Sequence, residues 1–211
     1  MPASANGLFA GPDGQSRCSW CEGYDDCIEY HDNEWGRPVV DDQRLFEKIS
    51  LEGFQSGLSW LTILRKRENF RSAFQGFDIE KIARFNSRSV DRLLGDAGIV
   101  RHRGKIEAVI NNAKRCSELV DRHGSLARFV WRFEPEPSSR PSEATWETLR
   151  KITESAESRA LSKELKSLGW RFVGPTTMYA FMQSMGLVND HVEGCAFREI
   201  CEDERRAVDR P

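Results

Sequence analysis

The sequence predicts an all-α fold, a compact helical bundle, and two features of the chain support this class. Apolar residues recur every three to four positions through most of the chain, which is the spacing of one helix face. Alternating apolar and polar residues with tight-turn dipeptides, which indicate strands and hairpins, are scarce. A length of 211 residues suits one domain, or two tightly packed lobes, with a sizeable core.

The predicted helices begin after residues that cap helix N-termini. Asp41 or Asp42 precedes a segment that places Leu45, Phe46 and Ile49 on one face. The same reasoning predicts further helices over 60–74, from Asp78 to 85, and over 90–94, 105–120, 126–133, 154–168 and 176–185. Gly169 and Gly186 end the last two, and Pro175 stands where a first helical turn tolerates proline.

Three segments lack helical periodicity and divide the chain. Residues 1–16 are rich in Gly, Pro, Ala and Ser and are expected to form a flexible tail. Residues 134–145 contain three prolines and are expected to form an exposed loop between two helical halves. Residues 201–211 are charged and are expected to fray, so the predicted domain spans 17–200.

The composition excludes several classes of protein. A formal net charge of −2 argues against a histone-like electrostatic binder, although it allows a DNA enzyme with its basic residues on one face. No apolar run approaches the roughly 20 residues that span a bilayer, and residues 1–16 lack the pattern of a secretory signal. We therefore expect a soluble, cytoplasmic protein, and a monomer because no second large apolar face is evident.

Two Cys/His pairs near the chain ends have the spacing of metal ligands. Cys18 and His31 form a C-x12-H pair, and His191 and Cys195 lie four residues apart, a spacing that on a helix would place both side chains on one face. Two thiolates and two imidazoles suit a closed, tetrahedral, structural Zn²⁺ site that would join the two ends. The alternative is buried, inert thiols with a core histidine. Cys21 and Cys27 are rival ligands.

A second cluster has the composition of a pocket for a flat ring. Tyr30, Trp35, Phe54 and Trp60 lie in two short segments around one carboxylate, Glu52. Aromatic faces bind flat, cationic rings, and a carboxylate accepts hydrogen bonds from an exocyclic amino group. The alternative is that these aromatic residues belong to the core and Glu52 is solvated.

Glycines mark two places at which the sequence predicts a close backbone approach or a turn with exposed N–H groups. Gly53 and Gly57 interrupt a helical segment, which indicates a close backbone approach there. The turn between Gly169 and Gly174 opens a helix and is suited to directing backbone N–H groups at a phosphate. A plain helical hairpin is the alternative. The basic runs 65–69 and 101–105 are either DNA-backbone contacts or solvated faces.

Several long motifs together resemble one known family. They are YHDNEWGRP (30–38), LFEKISLEGFQSGLSWLTILRKRENFRSAF (45–74), DAGIVRHRGKIEAVINNA (96–113) and LGWRFVGPTTMYAFMQSMGLVNDHVEGC (168–195). The sequence is similar, over about residues 17–198, to the DNA-3-methyladenine glycosylase I family of the helix-hairpin-helix glycosylase superfamily.

The resemblance implies a role for each candidate residue. It implies a structural zinc held by Cys18, His31, His191 and Cys195, and a base pocket in which Glu52 recognises the alkylated adenine. Tyr30, Trp35 and Trp60 match the aromatic positions of that pocket. The turn from Gly169 to Gly174 matches the DNA-backbone anchor, so the implied partner is alkylated double-stranded DNA.

Two departures from related patterns bear on the chemistry. Cys27 stands where the family usually has a first tyrosine, three residues before Tyr30. In the V-D-x-H stretch of the wider superfamily the aspartate position is Asn189 here, and no lysine matches a pocket position for a Schiff base. These features favour a monofunctional hydrolase, without strand cleavage.

Two functions follow as hypotheses from the sequence. The first is an enzyme that flips 3-methyladenine out of duplex DNA and hydrolyses its glycosidic bond. A narrower variant of this hypothesis shifts the substrate, for example to 3-methylguanine. The second is a zinc-stapled module that binds damaged DNA without cutting the bond, as Asn189 and Cys27 would allow.

Overall fold

Helices dominate the part of the chain that the structure, a computed structural model, describes, which is residues 6–211. Two short strands open this part, β1 (Leu8–Ala10) and β2 (Ser16–Cys18). The helices that follow are α1 (Asp25–Asn33), α2 (Asp42–Gln55), α3 (Trp60–Arg65), α4 (Arg67–Ala73), α5 (Ile79–Ala83), α6 (Ser87–Gly95), α7 (Arg103–His123), α8 (Leu126–Trp131), α9 (Trp146–Leu149), α10 (Ala156–Ser167), α11 (Pro175–Ser184) and α12 (Arg198–Ala207). The mostly helical fold class is thus confirmed.

Side-chain caps explain why the helices begin where they do. The carboxylate of Asp41 accepts a hydrogen bond from the Arg44 amide at 2.8 Å, at the start of α2. Asp78 does the same for the Lys81 amide at 3.0 Å, at the start of α5. Each such cap satisfies an N–H group that the first helical turn leaves unpaired.

Helix α2 runs through the centre of the molecule. All residues from Leu45 to Phe54 are buried, including the charged Glu47, Lys48 and Glu52. It contacts α7, α8 and α11, and Phe70 of α4 and the following Phe74 pack against Phe54 near its C-terminal end. A helix enclosed in this way carries its polar side chains into the interior, where they must find partners.

The N-terminal segment is more ordered than the sequence predicts. Strands β1 and β2 pair antiparallel, with Leu8 opposite Cys18 and Ala10 opposite Ser16. A turn with Gly14 at positive φ joins them. The sequence does not reveal this hairpin because strands of three residues are too short to show alternation. Residues 1–5 of the predicted tail lie outside the described residues.

The C-terminal segment also differs from the expectation of a frayed tail. Helix α12 continues through Ala207, and Cys201 within it is buried. Arg205 donates to Glu134 at 2.9 Å, which ties this helix to the loop that follows α8. The domain limits at 17 and 200 remain a prediction.

The connection 134–145 is largely irregular, as expected, with one 3₁₀ turn at Pro137–Ser139. It is followed by α9 and then by α10 and α11, which pack on each other and are joined by the tight turn 168–174. Within residues 6–211, no helix combines the length and apolarity that crossing a membrane requires.

Candidate active site

A cavity of about 320 Å³ brings three of the four predicted aromatic residues together with the predicted carboxylate, whereas Phe54 is buried in the core against Phe70. It is lined by Trp20, Tyr30, Trp35, Glu52, Gln55, Trp60, Trp146, Leu149, Arg150, Ile152, Ala180, Gln183, Asp190 and Val192. Its volume is at the lower end of the roughly 300–1,000 Å³ of small-molecule pockets. A larger cavity of about 530 Å³ lies beside α12, but paired Arg and Glu side chains line much of it and the aromatic residues are elsewhere.

Aromatic rings form much of the cavity wall. The ring centroids of Tyr30 and Trp60 are 5.0 Å apart with an interplanar angle of 44°. Those of Trp20 and Trp35 are 5.1 Å apart in an edge-to-face arrangement. Tyr30, Trp35 and Trp60 were predicted, whereas Trp20 and Trp146 were not, because both come from short elements with little periodicity.

Glu52 is held in place by a lysine that the sequence analysis did not consider. The Lys48 ammonium, one helical turn earlier on α2, lies 2.9 Å from Glu52 Oε1, and both side chains are almost fully buried. The same ammonium donates to the Tyr30 hydroxyl at 2.7 Å and lies 3.4 Å from the centroid of the Trp60 ring. Lys48 thus approaches Glu52, Tyr30 and Trp60 but does not line the cavity itself.

Burial and neighbouring charges shift the pKa values of Lys48 and Tyr30 in opposite directions. Burial lowers the pKa of Lys48 below its ordinary value, and the adjacent Glu52 carboxylate partly offsets this effect. Burial raises the pKa of Tyr30 well above its ordinary value, with the Glu52 charge adding to the increase. Tyr30 is thus a neutral hydrogen-bonding group at physiological pH.

A second carboxylate, Asp190, lies in the cavity wall, one residue after Asn189, which occupies the aspartate position of the wider superfamily. Asp190 accepts hydrogen bonds from the Tyr179 hydroxyl at 2.7 Å and from the Gln183 amide at 2.9 Å, and it pairs with Arg140. Asn189 instead donates to the Arg198 carbonyl and accepts from the His191 amide. Asn189 therefore fixes the backbone immediately before His191.

The unusual Cys27 lies beside the pocket without lining it. Its side chain is buried in a small apolar cluster with Cys21, Tyr30 and Leu64. Burial raises the pKa of the Cys27 thiol, so the group is a neutral apolar contact behind Tyr30.

The four predicted metal ligands form one buried cluster. The ligand atoms of Cys18, His31, His191 and Cys195 all lie within 4.8 Å of one another. Cys195 Sγ is 3.5 Å from His31 Nε2 and 3.4 Å from His191 Nδ1, and Cys18 Sγ is 3.8 Å from His191 Nδ1. The rival ligands Cys21 and Cys27 lie outside this group; the Cys21 thiol donates to the Cys18 carbonyl.

Partners outside the cluster fix the orientation of both imidazoles. His31 Nδ1 lies 2.8 Å from Asp32 Oδ1, which leaves Nε2 facing the cluster. His191 Nε2 lies 3.1 Å from the Trp35 carbonyl, which leaves Nδ1 facing it. Carboxylates and carbonyls commonly hold metal-binding histidines in this way. The cluster is therefore able to hold a metal ion.

The turn between α10 and α11 is fixed by side chains of α7. Asn111 donates to the Gly169 carbonyl at 2.8 Å, and Asn112 both donates to the Arg171 carbonyl and accepts from its amide at 2.9 Å. Gly169 has φ +83°, and Phe172 at the exposed tip has φ +57°. Gly174 caps α11, and Pro175 follows at its first position.

Gly53 explains how this turn lies so close to the pocket. A Cβ atom at Gly53 would be 3.3 Å from the Phe172 Cβ atom, so α2 and the turn touch at the residue after Glu52. The predicted close approach is present at Gly53. Gly57 instead has open space around it and adopts φ +80°.

Most residues of the two basic runs already have partners in the protein. Arg65 pairs with Asp26, and Arg67 pairs with Glu34. Arg103 lies close to Asp91 and Glu107, and Lys105 donates to the Phe54 carbonyl at 2.9 Å, at the end of α2. These contacts favour structural roles for the runs over contacts with DNA phosphates.

The fold and the cavity define a helical protein in which aromatic side chains and a carboxylate line one cavity, next to a glycine-bounded turn between two helices. The family model described as methyladenine glycosylase matches residues 20–199. The chain therefore belongs to this family, and it is an enzyme of the DNA-3-methyladenine glycosylase type.

Individual relatives match over most of their length. DNA-3-methyladenine glycosylase 1 of Escherichia coli (strain K12) is 49% identical over 180 residues, covering 85% of this chain and 95% of that protein. DNA-3-methyladenine glycosylase of Haemophilus influenzae is 45% identical over 181 residues, covering 85% and 96%. The structure of 3-methyladenine DNA glycosylase I from Staphylococcus aureus, solved to explain recognition of 3-methyladenine, has a TM-score of 0.80 at 34% identity and covers 86% and 96%.

Proposed function

We propose that this enzyme removes 3-methyladenine from alkylated double-stranded DNA by hydrolysis of the glycosidic bond. The observation that carries the proposal is the assembly of Glu52, Tyr30, Trp35 and Trp60 around one base-sized cavity. The Staphylococcus aureus relative recognises 3-methyladenine, which supports the same base here. We further propose that the enzyme acts as a monomer.

Recognition of the base follows from the chemistry of the cavity. An adenine methylated at N3 and attached to deoxyribose is cationic, so its ring is attracted to the faces of Tyr30, Trp35 and Trp60. Glu52 accepts a hydrogen bond from the exocyclic amino group of the base. The base must leave the duplex stack to reach this cavity, and a damaged base leaves it at lower cost.

The bond cleavage itself needs little proton transfer. The cationic base is already a good leaving group, so the enzyme needs no acid to protonate it. The bond from C1′ to the base breaks with its electron pair going to the base, and water then forms the new C1′–O bond. No lysine lines the cavity among the described residues, which supports a monofunctional hydrolase without a Schiff base.

The turn between α10 and α11 is proposed as the anchor for the DNA backbone. Gly169 and Gly174 bound it, and the N-terminus of α11 presents free backbone N–H groups beside Gly174. Its contact with α2 at Gly53 lies next to Glu52, so DNA held at the turn also delivers a base to the cavity.

The Cys/His cluster is proposed as a structural Zn²⁺ site held by Cys18, His31, His191 and Cys195. Two thiolates and two imidazoles are a donor set that zinc prefers, and they leave no open position for substrate. A tetrahedral zinc site has about 3.3–3.8 Å between ligand atoms. Three of the six separations here, 3.4, 3.5 and 3.8 Å, agree with this, and all six are within 4.8 Å. The ion would supply folding energy and no reaction chemistry.

Single-turnover base release tests the proposed function. The protein is mixed in excess with methylated duplex DNA, and each released base is identified by chromatography. We expect release of 3-methyladenine with 7-methylguanine retained, and a decrease of about 100-fold or more in Glu52→Gln, as for loss of one preorganised electrostatic group. Release of another base, such as 3-methylguanine, would redefine the substrate.

A matched control comes from the same helix. Glu47 is also buried on α2, pairs with Arg71 and does not line the cavity. Glu47→Gln should keep its base-release rate at a temperature where both variants are folded. No base release by folded wild-type protein that binds the duplex would contradict the enzymatic proposal and favour a non-catalytic reader of damaged DNA.

A further inference from the structure

Lys48 is a buried cation that contacts three residues of the proposed base site at once. Its ammonium lies within 3 Å of both Glu52 Oε1 and the Tyr30 hydroxyl, and it sits against the face of Trp60. Tyr30 and Trp60 line both the main cavity and a small adjoining space of about 20 Å³ that Lys48 lines. Lys48 therefore lies behind the aromatic wall, close to a bound base without touching it.

The Lys48–Glu52 pair carries no net charge. The ammonium and the carboxylate are in direct contact at 2.9 Å, so their opposite charges cancel. Two further carboxylates behind the wall are also paired, Glu34 with Arg67 and Glu47 with Arg71, and Arg44 adds a positive charge there. The cavity therefore presents aromatic faces to a cationic ring, but the negative charge of Glu52 within it is compensated.

We propose that Lys48 is a specificity-determining residue that balances the charge of Glu52, so that the pocket favours the neutral, released base over the cationic base still attached to DNA. This inference rests on the proposed function, since it assigns the cavity to the alkylated base. Without Lys48, Glu52 would present a buried negative charge and would bind the cation more strongly.

This charge balance favours cleavage over substrate binding. While the glycosidic bond is intact, the base carries a positive charge, and its repulsion by Lys48 offsets its attraction to Glu52. As the electron pair moves to the base, the base becomes neutral and the positive charge passes to the sugar carbon, where water adds and releases a proton. An interaction that is unfavourable in the ground state and relieved in the transition state accelerates the reaction.

The test compares two small ligands that differ in charge. 3-Methyladenine at pH 8 is neutral, and the 3,9-dimethyladeninium ion is permanently cationic with a methyl group in place of the sugar. Titration calorimetry gives the Kd of each with wild-type protein and with Lys48→Met, which has a similar volume and no charge. We expect Lys48→Met to strengthen binding of the cation relative to the neutral ligand, so that the ratio of the two Kd values changes by about tenfold or more.

A double variant serves as the matched control for charge. Lys48→Met combined with Glu52→Gln again has no net charge at the pair, so its Kd ratio should return to near the wild-type value. Lys48→Gln, which keeps a hydrogen bond to Tyr30, replaces Lys48→Met if that variant does not fold. In single-turnover base release, the single variants Lys48→Met and Lys48→Gln should show tighter substrate binding and a slower chemical step.

The outcomes separate this inference from the proposed function. An equal loss of affinity for both ligands in Lys48→Met would assign Lys48 a purely structural role and overturn the inference. Binding of neither ligand to wild-type protein would instead contradict the proposed base site, whatever Lys48 does. A shift of the ratio towards the neutral ligand would reverse the assigned direction and also overturn the inference.

Discussion

Asp190 accepts three hydrogen-bonding or ionic contacts although its side chain is almost fully buried. Removing the charge by Asp190→Asn leaves Arg140 without its counter-ion in a largely buried position. We expect the free energy of unfolding to fall by about 3 kcal/mol, the lower end of the range for broken buried pairs because Arg140 keeps some contact with water. Urea unfolding measures this change.

An exposed ion pair provides the comparison for Asp190. Asp203 pairs with Arg206 on the surface of α12, where solvent screens the interaction. Asp203→Asn should leave the urea midpoint nearly unchanged. Equal effects of the two substitutions would show that the Asp190 network contributes no more than a surface pair.

At the scale of single residues, the sequence predicted some of the cavity residues, and the others could not be predicted for a physical reason. Glu52 and Trp60 lie in one segment with a dense aromatic pattern, so their proximity was readable. Lys48 was not, because an i,i+4 pair usually lies on an exposed helix face. Asp190 and Trp20 reach the cavity only through long-range packing.

The turn between α10 and α11 is the element on which the proposed DNA contact depends. Gly169 has φ +83°, which an alanine adopts only with strain, and the Arg115 side chain lies 3.4 Å from the position of a new Cβ. Gly169→Ala should lower the free energy of unfolding by about 1 kcal/mol and weaken duplex binding. Thermal melting and fluorescence anisotropy with labelled duplex measure the two effects.

Gly95 is the matched control for this element. It ends α6 and has open space around it without a positive φ. Gly95→Ala should leave both the melting temperature and the duplex affinity close to those of the wild-type protein. If Gly169→Ala melts lower but binds duplex equally well, the turn is a structural connection and not a DNA anchor.

Most of the helices were predictable because caps and apolar spacing are local signals, but α1 and the short α9 were not predicted. Asp41, Asp78 and Ser155 each accept the hydrogen bond that their position implies. The β1–β2 hairpin and α12 were not predicted, since both are stabilised by contacts with distant segments. Ala196 donates to Ser16 at 2.8 Å, for example, which joins the two ends of the fold.

For the whole molecule, the proposed zinc site determines whether the two ends stay together. Cys195→Ser should abolish stoichiometric zinc and lower the melting temperature by about 10 °C or more, which corresponds to a loss of roughly 3 kcal/mol or more in a chain of this size. Metal analysis of the purified protein and thermal melting with and without a chelator provide the measurements.

Cys27 is the matched cysteine for that experiment. It is buried near the cluster but lies outside it. Cys27→Ser should retain one zinc per chain, with at most a modest decrease in melting temperature. A wild-type protein that is well folded without metal, and whose melting a chelator does not change, would contradict the zinc proposal.

The Cys/His cluster also sets an order of events during synthesis on the ribosome. Trp20, Tyr30 and Trp35 lie among or next to the first two ligands, whereas the last two ligands are His191 and Cys195. The aromatic residues near the N-terminus are synthesised early, whereas Cys195, the last residue of the cluster, is added only after nearly all of the chain has been translated. The last cavity residue, Val192, and the last cluster residue, Cys195, are both added near the end of synthesis, so the cavity and the cluster form only when translation is nearly complete.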